Sequence, residues 1–188
     1  QRIRIGSYRE PATVAVAGFL HHLPGVDTPI WISSTDVPVV LDQGRNQAAE
    51  SAQVLQVPGE VSGQLTVSDE RDWYRIRARR GEVFHIEGFA ERIGSTADLD
   101  ISVMDQTGEK ELAHFRDELV NIGGLRFPSS HLDPAGRWVA PADDDYLIVV
   151  RNLIGGLQDD PRRTYRLSVR REESEVQLVA IAHQPTSP

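Results

Sequence analysis

The fifteen residues "SDERDWYRIRARRGE", 68 to 82, hold the densest set of side chains in the chain that could do chemistry. Three carboxylates (Asp69, Glu70 and Asp72) precede a Trp-Tyr pair and a run of arginines. Such a set suits three tasks. Carboxylate oxygens form a lip for a hard cation, which takes six to eight oxygen ligands. Paired acids serve acid–base chemistry. A tryptophan flanked by arginines, here Trp73 with Arg75 and Arg77, stacks on a sugar ring or grips a peptide. The plain alternative is a turn whose acids pair with Arg71 or Arg45 and lead into a strand.

The element that must position these groups is a strand. In "WYRIRA", Tyr74, Ile76 and Ala78 share one face and Trp73, Arg75 and Arg77 the other. The same period of two marks "DLDISVMD", with Leu99, Ile101 and Val103 against Asp98, Asp100 and Ser102. It marks "TYRLSVR" as well, with Tyr165, Leu167 and Val169 against Arg166, Ser168 and Arg170. Alternation of this kind predicts half-buried strands. "VFHIEGF" and "YLIVVRNL" are rich in strand-forming residues. Turn signals ("RRGE", "RIGST", "QTGEK", "APADDD", "IGGLQDDPRR") fall between them. Regular strands without a helical period predict an all-β fold, an antiparallel β-sandwich of jelly-roll-like type. One stretch, "NQAAESAQVL" at 46 to 55, suits a helical turn or two.

Three segments follow. Residues 1–40 form an N-terminal β segment with strands at "RIRI", "ATVAVAGFL" and "PIWIS", read as a remnant of, or linker from, an upstream domain. Residues 41–172 carry the sandwich. Residues 173–188 offer one more strand, "VQLVAIA", and a polar tail. "QRIRIGSY" near the start echoes "TYRLSVRR" near the end, as expected of a piece of a tandem array. The chain begins with Gln1, which reads as a processed chain or a piece of something longer.

The chain has 188 residues and a formal net charge of −8, enough for one domain with a real core. The acidic balance argues against nucleic-acid partners and anionic membrane surfaces. The apolar run at 12–20 is far short of the roughly 20 residues of a spanning helix, so no membrane insertion is expected. With no cysteine, thiolate catalysis, disulfides and Cys-based zinc sites are excluded. No Gly-x-Ser-x-Gly elbow, phosphate-binding loop or His-Glu-x-x-His spacing is present. The adjacent His21 and His22 point opposite ways in an extended chain. His85, His114, His131 and His183 are scattered. Asp98 and Asp100, two apart on a strand, share one face and read as a solvated face. The irregular stretch 114–138, with Phe115, Leu125, Arg126 and Phe127, is the expected recognition loop.

The ordered set of strands and turns resembles the bacterial pre-peptidase C-terminal domain, a β-sandwich module appended to secreted peptidases and large exoproteins. "VSGQL" resembles its first strand. "SDERDWYRIRARRGEVFHIEGFA" resembles its Asp-x-x-Asp-aromatic-aromatic strand, glycine turn and next strand. "DLDISVMDQTGEKEL", "WVAPADDDYLIVVRNL" and "TYRLSVR" follow in the family's order. Where the family has glycine before x-Tyr, this chain has Asp144, which tolerates a left-handed turn better than most residues. The family often opens with Glu-x-Glu-Pro-Asn-Asp/Asn, and in some members that segment helps to hold calcium. Here it reads "DQGRNQ": Asp42 and Asn46 remain, while Gly44 and Arg45 replace an acid and a proline. The resemblance therefore implies a reduced calcium set of Asp42, Asn46, Asp69 and Asp72.

These observations lead to a non-catalytic accessory module of a larger bacterial protein that is secreted, periplasmic or on the cell surface. Its expected partners are extracellular polysaccharide, fibrous protein, or adjacent domains of the parent chain. Its expected ligand-binding residues are Trp73, Arg75, Arg77 and Phe127, with calcium as the one cofactor in view. The alternative is a purely structural unit of a tandem surface or scaffold array with no soluble ligand.

Overall fold

The computed structural model describes residues 17–118, 130–153 and 159–172, apart from Val26 and Thr28. Thirteen strands are described: β1 (Gly18–His21), β2 (Ile30–Ser33), β3 (Val39–Leu41), β4 (Gln53–Val54), β5 (Gly59–Gln64), β6 (Arg71–Ala78), β7 (Val83–Phe89), β8 (Leu99–Met104), β9 (Glu111–Phe115), β10 (Asp117–Glu118), β11 (His131–Val139), β12 (Asp144–Asn152) and β13 (Thr164–Arg171). Six form one sheet in the order β10-β11-β7-β13-β5-β3, and five form a second in the order β4-β6-β12-β8-β9. β1 and β2 pair only with each other. The fold is an all-β sandwich. Its ladders are antiparallel except at two edges, where β3 runs parallel to β5 and β4 parallel to β6.

The alternation read from the sequence sets the core. Tyr74, Ile76 and Ala78 of β6, Leu99, Ile101 and Val103 of β8, and Tyr165, Leu167 and Val169 of β13 are all buried in one cluster. Complete burial of a leucine or isoleucine side chain contributes roughly 1.5–3 kcal/mol, so this face fixes the register. Trp138 of β11 joins the core, packed between the rings of Phe84 and Tyr146. The stretch 46–55 forms a 3-10 turn at Ala49–Ser51 and then β4.

The expected strands at "RIRI" and "VQLVAIA", most of "ATVAVAGFL", and residues 119–129 of the expected recognition loop, Phe127 among them, lie outside the described residues. The ends of that loop region are strands, β9 and β10 before and β11 after. The turn before Tyr146 differs from expectation. Asp144 needs no left-handed backbone, because it opens β12 and its Oδ1 accepts the Asp145 N–H at 2.8 Å. The left-handed position is Asp69, at φ 59°.

Candidate functional site

Three places concentrate polar groups, and the sandwich positions each differently. The first is the end of the sandwich where the two sheets meet. Asp72 opens the inward face of β6, and Tyr165 stands opposite on β13. The Tyr165 hydroxyl donates to Asp72 Oδ2 at 2.6 Å and lies in a short contact with the Tyr74 hydroxyl. The Tyr74 hydroxyl also meets Asp42 Oδ1 at 3.2 Å. Asn46 is buried and donates to the Trp73 carbonyl at 3.3 Å. Three of the four expected calcium residues thus gather around two tyrosines. Asp69 does not join them: it is exposed on its left-handed turn. Glu70 stands nearer and adds its charge to that felt by Asp72.

Burial raises the Asp72 carboxyl to about 7, despite the Tyr165 hydrogen bond, with Asp42 and Glu70 adding to the rise. Burial also pushes the Tyr74 and Tyr165 hydroxyls far above their ordinary range, and the neighbouring Asp72 adds to this. Both tyrosines therefore stay protonated, as donors.

Would calcium fit? Asn46 Oδ1 and Asp72 Oδ1 are buried acceptors without a partner, and Asp42 is close by. That is three side-chain contributors against the six to eight oxygens that calcium takes. Asp42 Oδ2 already accepts the Gly44 N–H at 3.3 Å. Among the described residues no three His, Asp or Glu side chains converge closely enough to hold a metal. The donor set does not fit calcium. Burial favours the protonated form of Asp72 instead.

The second place is the outward face of the five-stranded sheet, which holds the other expected site. Trp73 is half-buried there, with Gly108 against its ring: a β-carbon at 108 would lie 3.1 Å from Cζ3. Arg75 donates to the Ala49 carbonyl at 3.2 Å, and Arg77 pairs with Asp145 at 3.1 Å. All three side chains already serve contacts within the chain. Further along this face Asp100 is completely buried, contrary to the solvated face that its spacing predicts. It accepts from Arg151 Nε at 2.6 Å and meets His114 Nε2. Ser102 Oγ donates to Glu111 at 2.8 Å rather than to His114. Ser102, His114 and Asp100 are therefore near neighbours without the relay of a nucleophile and its base.

The third place was not singled out in the sequence. The β1–β2 hairpin stands over the outer face of β5 and β13. Between them runs a groove of about 780 Å³, lined by Ile30, Trp31 and Ile32 on the hairpin and by Glu60, Ser62 and Arg166 on the sheet. The floor is rigid. Glu60 has no exposed surface and pairs with Arg166 Nε at 2.8 Å and Arg170 Nη2 at 3.2 Å, with Ser168 Oγ also at 3.2 Å. Arg166 lies 4.4 Å over the Phe89 ring, yet its Nη1 is buried without a hydrogen-bond partner. The Trp31 indole N–H donates to Ser33 at 3.1 Å. Arg170 ties the hairpin's exit to the sheet through Asp36 at 2.8 Å and Thr35 at 3.2 Å. The signals for this site were "PIWIS" and the outward arginines of "TYRLSVR", but nothing in their spacing places one above the other.

No family model matches the chain, and no curated protein matches it. Solved structures share the fold. The pre-peptidase C-terminal domain of collagenase from Bacillus anthracis is 16% identical over 63% of this chain and 94% of that one, with a TM-score of 0.46. PliG from Aeromonas hydrophila, a periplasmic inhibitor of g-type lysozyme, is 12% identical over 72% of this chain and 98% of that one, with a TM-score of 0.41. The first is the kind of domain that the strand and turn motifs resemble, and both likenesses are of fold alone. Among the described residues no helix is long and apolar enough to cross a membrane.

Proposed function

We propose that the chain is a non-catalytic binding module of a larger exported bacterial protein, and that it docks an extended polymer, polysaccharide or protein, in the groove beneath the β1–β2 hairpin. The observation that carries this is the groove itself, with an apolar wall at Trp31, Ile30 and Ile32 facing the ion-paired Glu60 and Arg166. An aromatic wall beside preset hydrogen-bonding groups is the usual composition of a small-molecule or chain-binding cleft. Here Trp31 would contact the apolar face of a sugar or side chain, and the exposed Ser62 opposite would offer its hydroxyl. The expected trio Trp73, Arg75 and Arg77 is a weaker surface, because docking there would first break contacts within the chain.

The test is co-sedimentation of the purified chain with a panel of insoluble polysaccharides and fibrous proteins. We expect saturable retention by at least one member. Retention by none would favour the second reading, a structural unit of an array. The outermost strands favour that reading, since β3 and β4 leave short open edges where a neighbouring unit would sit.

A further inference from the structure

β2 lines the groove with its edge and not with a face. Residues 29–33 all border it, whereas a strand seen face-on would contribute alternate residues only. No residue of β1 borders it. The ladder fixes which backbone groups point there. The Ser34 N–H donates to the Ala17 carbonyl at 2.7 Å, and the register pairs Phe19 with Ile32 and His21 with Ile30. In an antiparallel ladder, hydrogen-bonded pairs alternate with unbonded ones. Ser34, Ile32 and Ile30 therefore direct their N–H and C=O groups to β1, and Trp31 and Ser33 turn theirs toward the groove. Among the described residues no strand pairs with that side of β2.

The sequence of this edge carries no guard. No charged residue lies between Asp27 and Asp36, whereas natural sheets protect open edges with charge or with proline inside the strand. The edge is also held in place. The Trp31 ring lies against Gly18, where a β-carbon would come 2.9 Å from Cε2, and its indole N–H is taken by Ser33 Oγ at 3.1 Å. Arg170 anchors the exit of β2 through Thr35 and Asp36. The charges bordering the groove are answered inside the chain, Glu60 by Arg166 at 2.8 Å and Arg162 by Asp160 at 3.0 Å. The exposed hydroxyl residues Ser62, Thr96 and Thr164 border it as well. A charged side chain on an occupant would find no free counter-charge, while apolar and hydroxyl-bearing ones meet their like.

We propose that the groove-side edge of β2 binds its partner as an added strand: an extended, uncharged segment of another protein, in which apolar residues alternate with serine or threonine. This rests on the groove being the docking site and narrows its occupant to a peptide backbone. In such complexes main-chain pairing supplies affinity and the flanking pockets supply selectivity. The outward donors and acceptors of Trp31 and Ser33 recur every second residue, roughly 6.6 Å along the strand. That is the spacing of a second extended backbone, and the hydroxyls of a sugar chain have no matching alternation of donor and acceptor. The four residues of β2 set the length of the pairing, and the groove's volume of about 780 Å³ suits a ligand cleft.

The probe is a capped octapeptide of alternating valine and threonine, N-methylated on alternate residues so that it keeps one free edge and forms no sheet with itself. We expect saturable binding to the full chain at up to millimolar peptide. The same peptide methylated on every residue should bind at least tenfold more weakly. Ser33→Pro should weaken binding of the first peptide about tenfold, because it removes an outward N–H and spares the ladder with β1. Ser33→Ala, which loses only the hydroxyl, should bind much as the unmodified chain does. Equal binding of the two peptides would overturn the added strand. So would no binding of the first peptide, or a loss in Ser33→Ala as large as in Ser33→Pro. Dimerisation of the chain that disappears in Ser33→Pro would assign the edge to a second copy and overturn the proposal. If Ser33→Pro disturbs the fold, the two peptides compared on the unmodified chain still decide. A polysaccharide retained by the chain and lost in Thr164→Arg, with no peptide bound, would keep the groove and remove only the strand. Peptide binding that neither Ser33→Pro nor Thr164→Arg alters would lie outside the groove and overturn both.

Discussion

The Tyr165 hydroxyl and the Asp72 carboxylate, 93 residues apart in sequence, meet at 2.6 Å and join the two sheets of the sandwich. Tyr165 comes from the six-stranded sheet and Asp72 from the five-stranded one. Around them sit Tyr74, Asp42 and Asn46, so this end of the sandwich is closed by a buried cluster of hydroxyls, a carboxyl and an amide.

The Asp72 carboxyl sets a pH dependence. An unfolded Asp72 titrates at the ordinary carboxyl value of 3.8, and in the fold burial raises it to about 7. Between these values the folded chain keeps a proton that the unfolded chain has released. The contribution of Asp72 is thus fully present below 3.8 and is lost as pH rises to about 7. Asp72→Asn removes the loss. Its stability relative to the unmodified chain should climb across this window, by on the order of 4 kcal/mol at most. Urea unfolding at three pH values measures it, and a difference flat with pH would speak against a neutral Asp72.

Calcium should leave the fold unmoved. A ion that binds only the folded chain raises its melting midpoint. After stripping with chelator, we expect the same midpoint with and without millimolar calcium. A rise of several degrees that disappears in Asp72→Ala would restore a metal to this end of the sandwich.

Trp73 is expected to matter for stability and not for binding. Its ring lies against Gly108, and its indole nitrogen is buried without a partner. Trp73→Ala should cost about 2–3 kcal/mol, somewhat below the range for a fully buried aromatic. Retention on any polymer that the chain binds should be unchanged under conditions where the variant stays folded. Loss of retention without loss of stability would move the site to the β6 face.

Arg151 guards a buried charge. Asp100 has no exposed surface and depends on Arg151 and His114. Arg151→Ala leaves that carboxylate half-paired and should destabilise by roughly 3 kcal/mol or more. Arg151→Ala with Asp100→Asn should recover part of the loss. A double variant no better than the single one would show that Arg151 acts by packing alone.

The sandwich was legible because alternation is local. Tyr74, Ile76, Leu99, Ile101, Tyr165 and Leu167 each declare their face within a few residues. Asp100 was not legible. Its spacing puts it outward correctly, but its burial depends on Arg151 and His114 arriving from other strands. The edges were also hidden, since β3 and β4 are three and two residues long and carry no period. The resemblance brought Asp42, Asn46 and Asp72 together on paper and placed Asp69 with them. The positive φ at Asp69 turns that residue outward and leaves Glu70 closer to the group. The groove was least visible, because it exists only where a separate hairpin crosses the outer face of β5 and β13.

One measurement bears most directly on the proposed groove: the dissociation constant for whichever polymer the panel retains, in the unmodified chain, Trp31→Ala and Thr164→Arg. Trp31 lines the groove from the hairpin and Thr164 from the sheet, so the two changes reach it from opposite sides. We expect both to weaken binding at least tenfold while the melting midpoint of the sandwich stays within a few degrees. Unchanged binding in both would contradict the groove as the site.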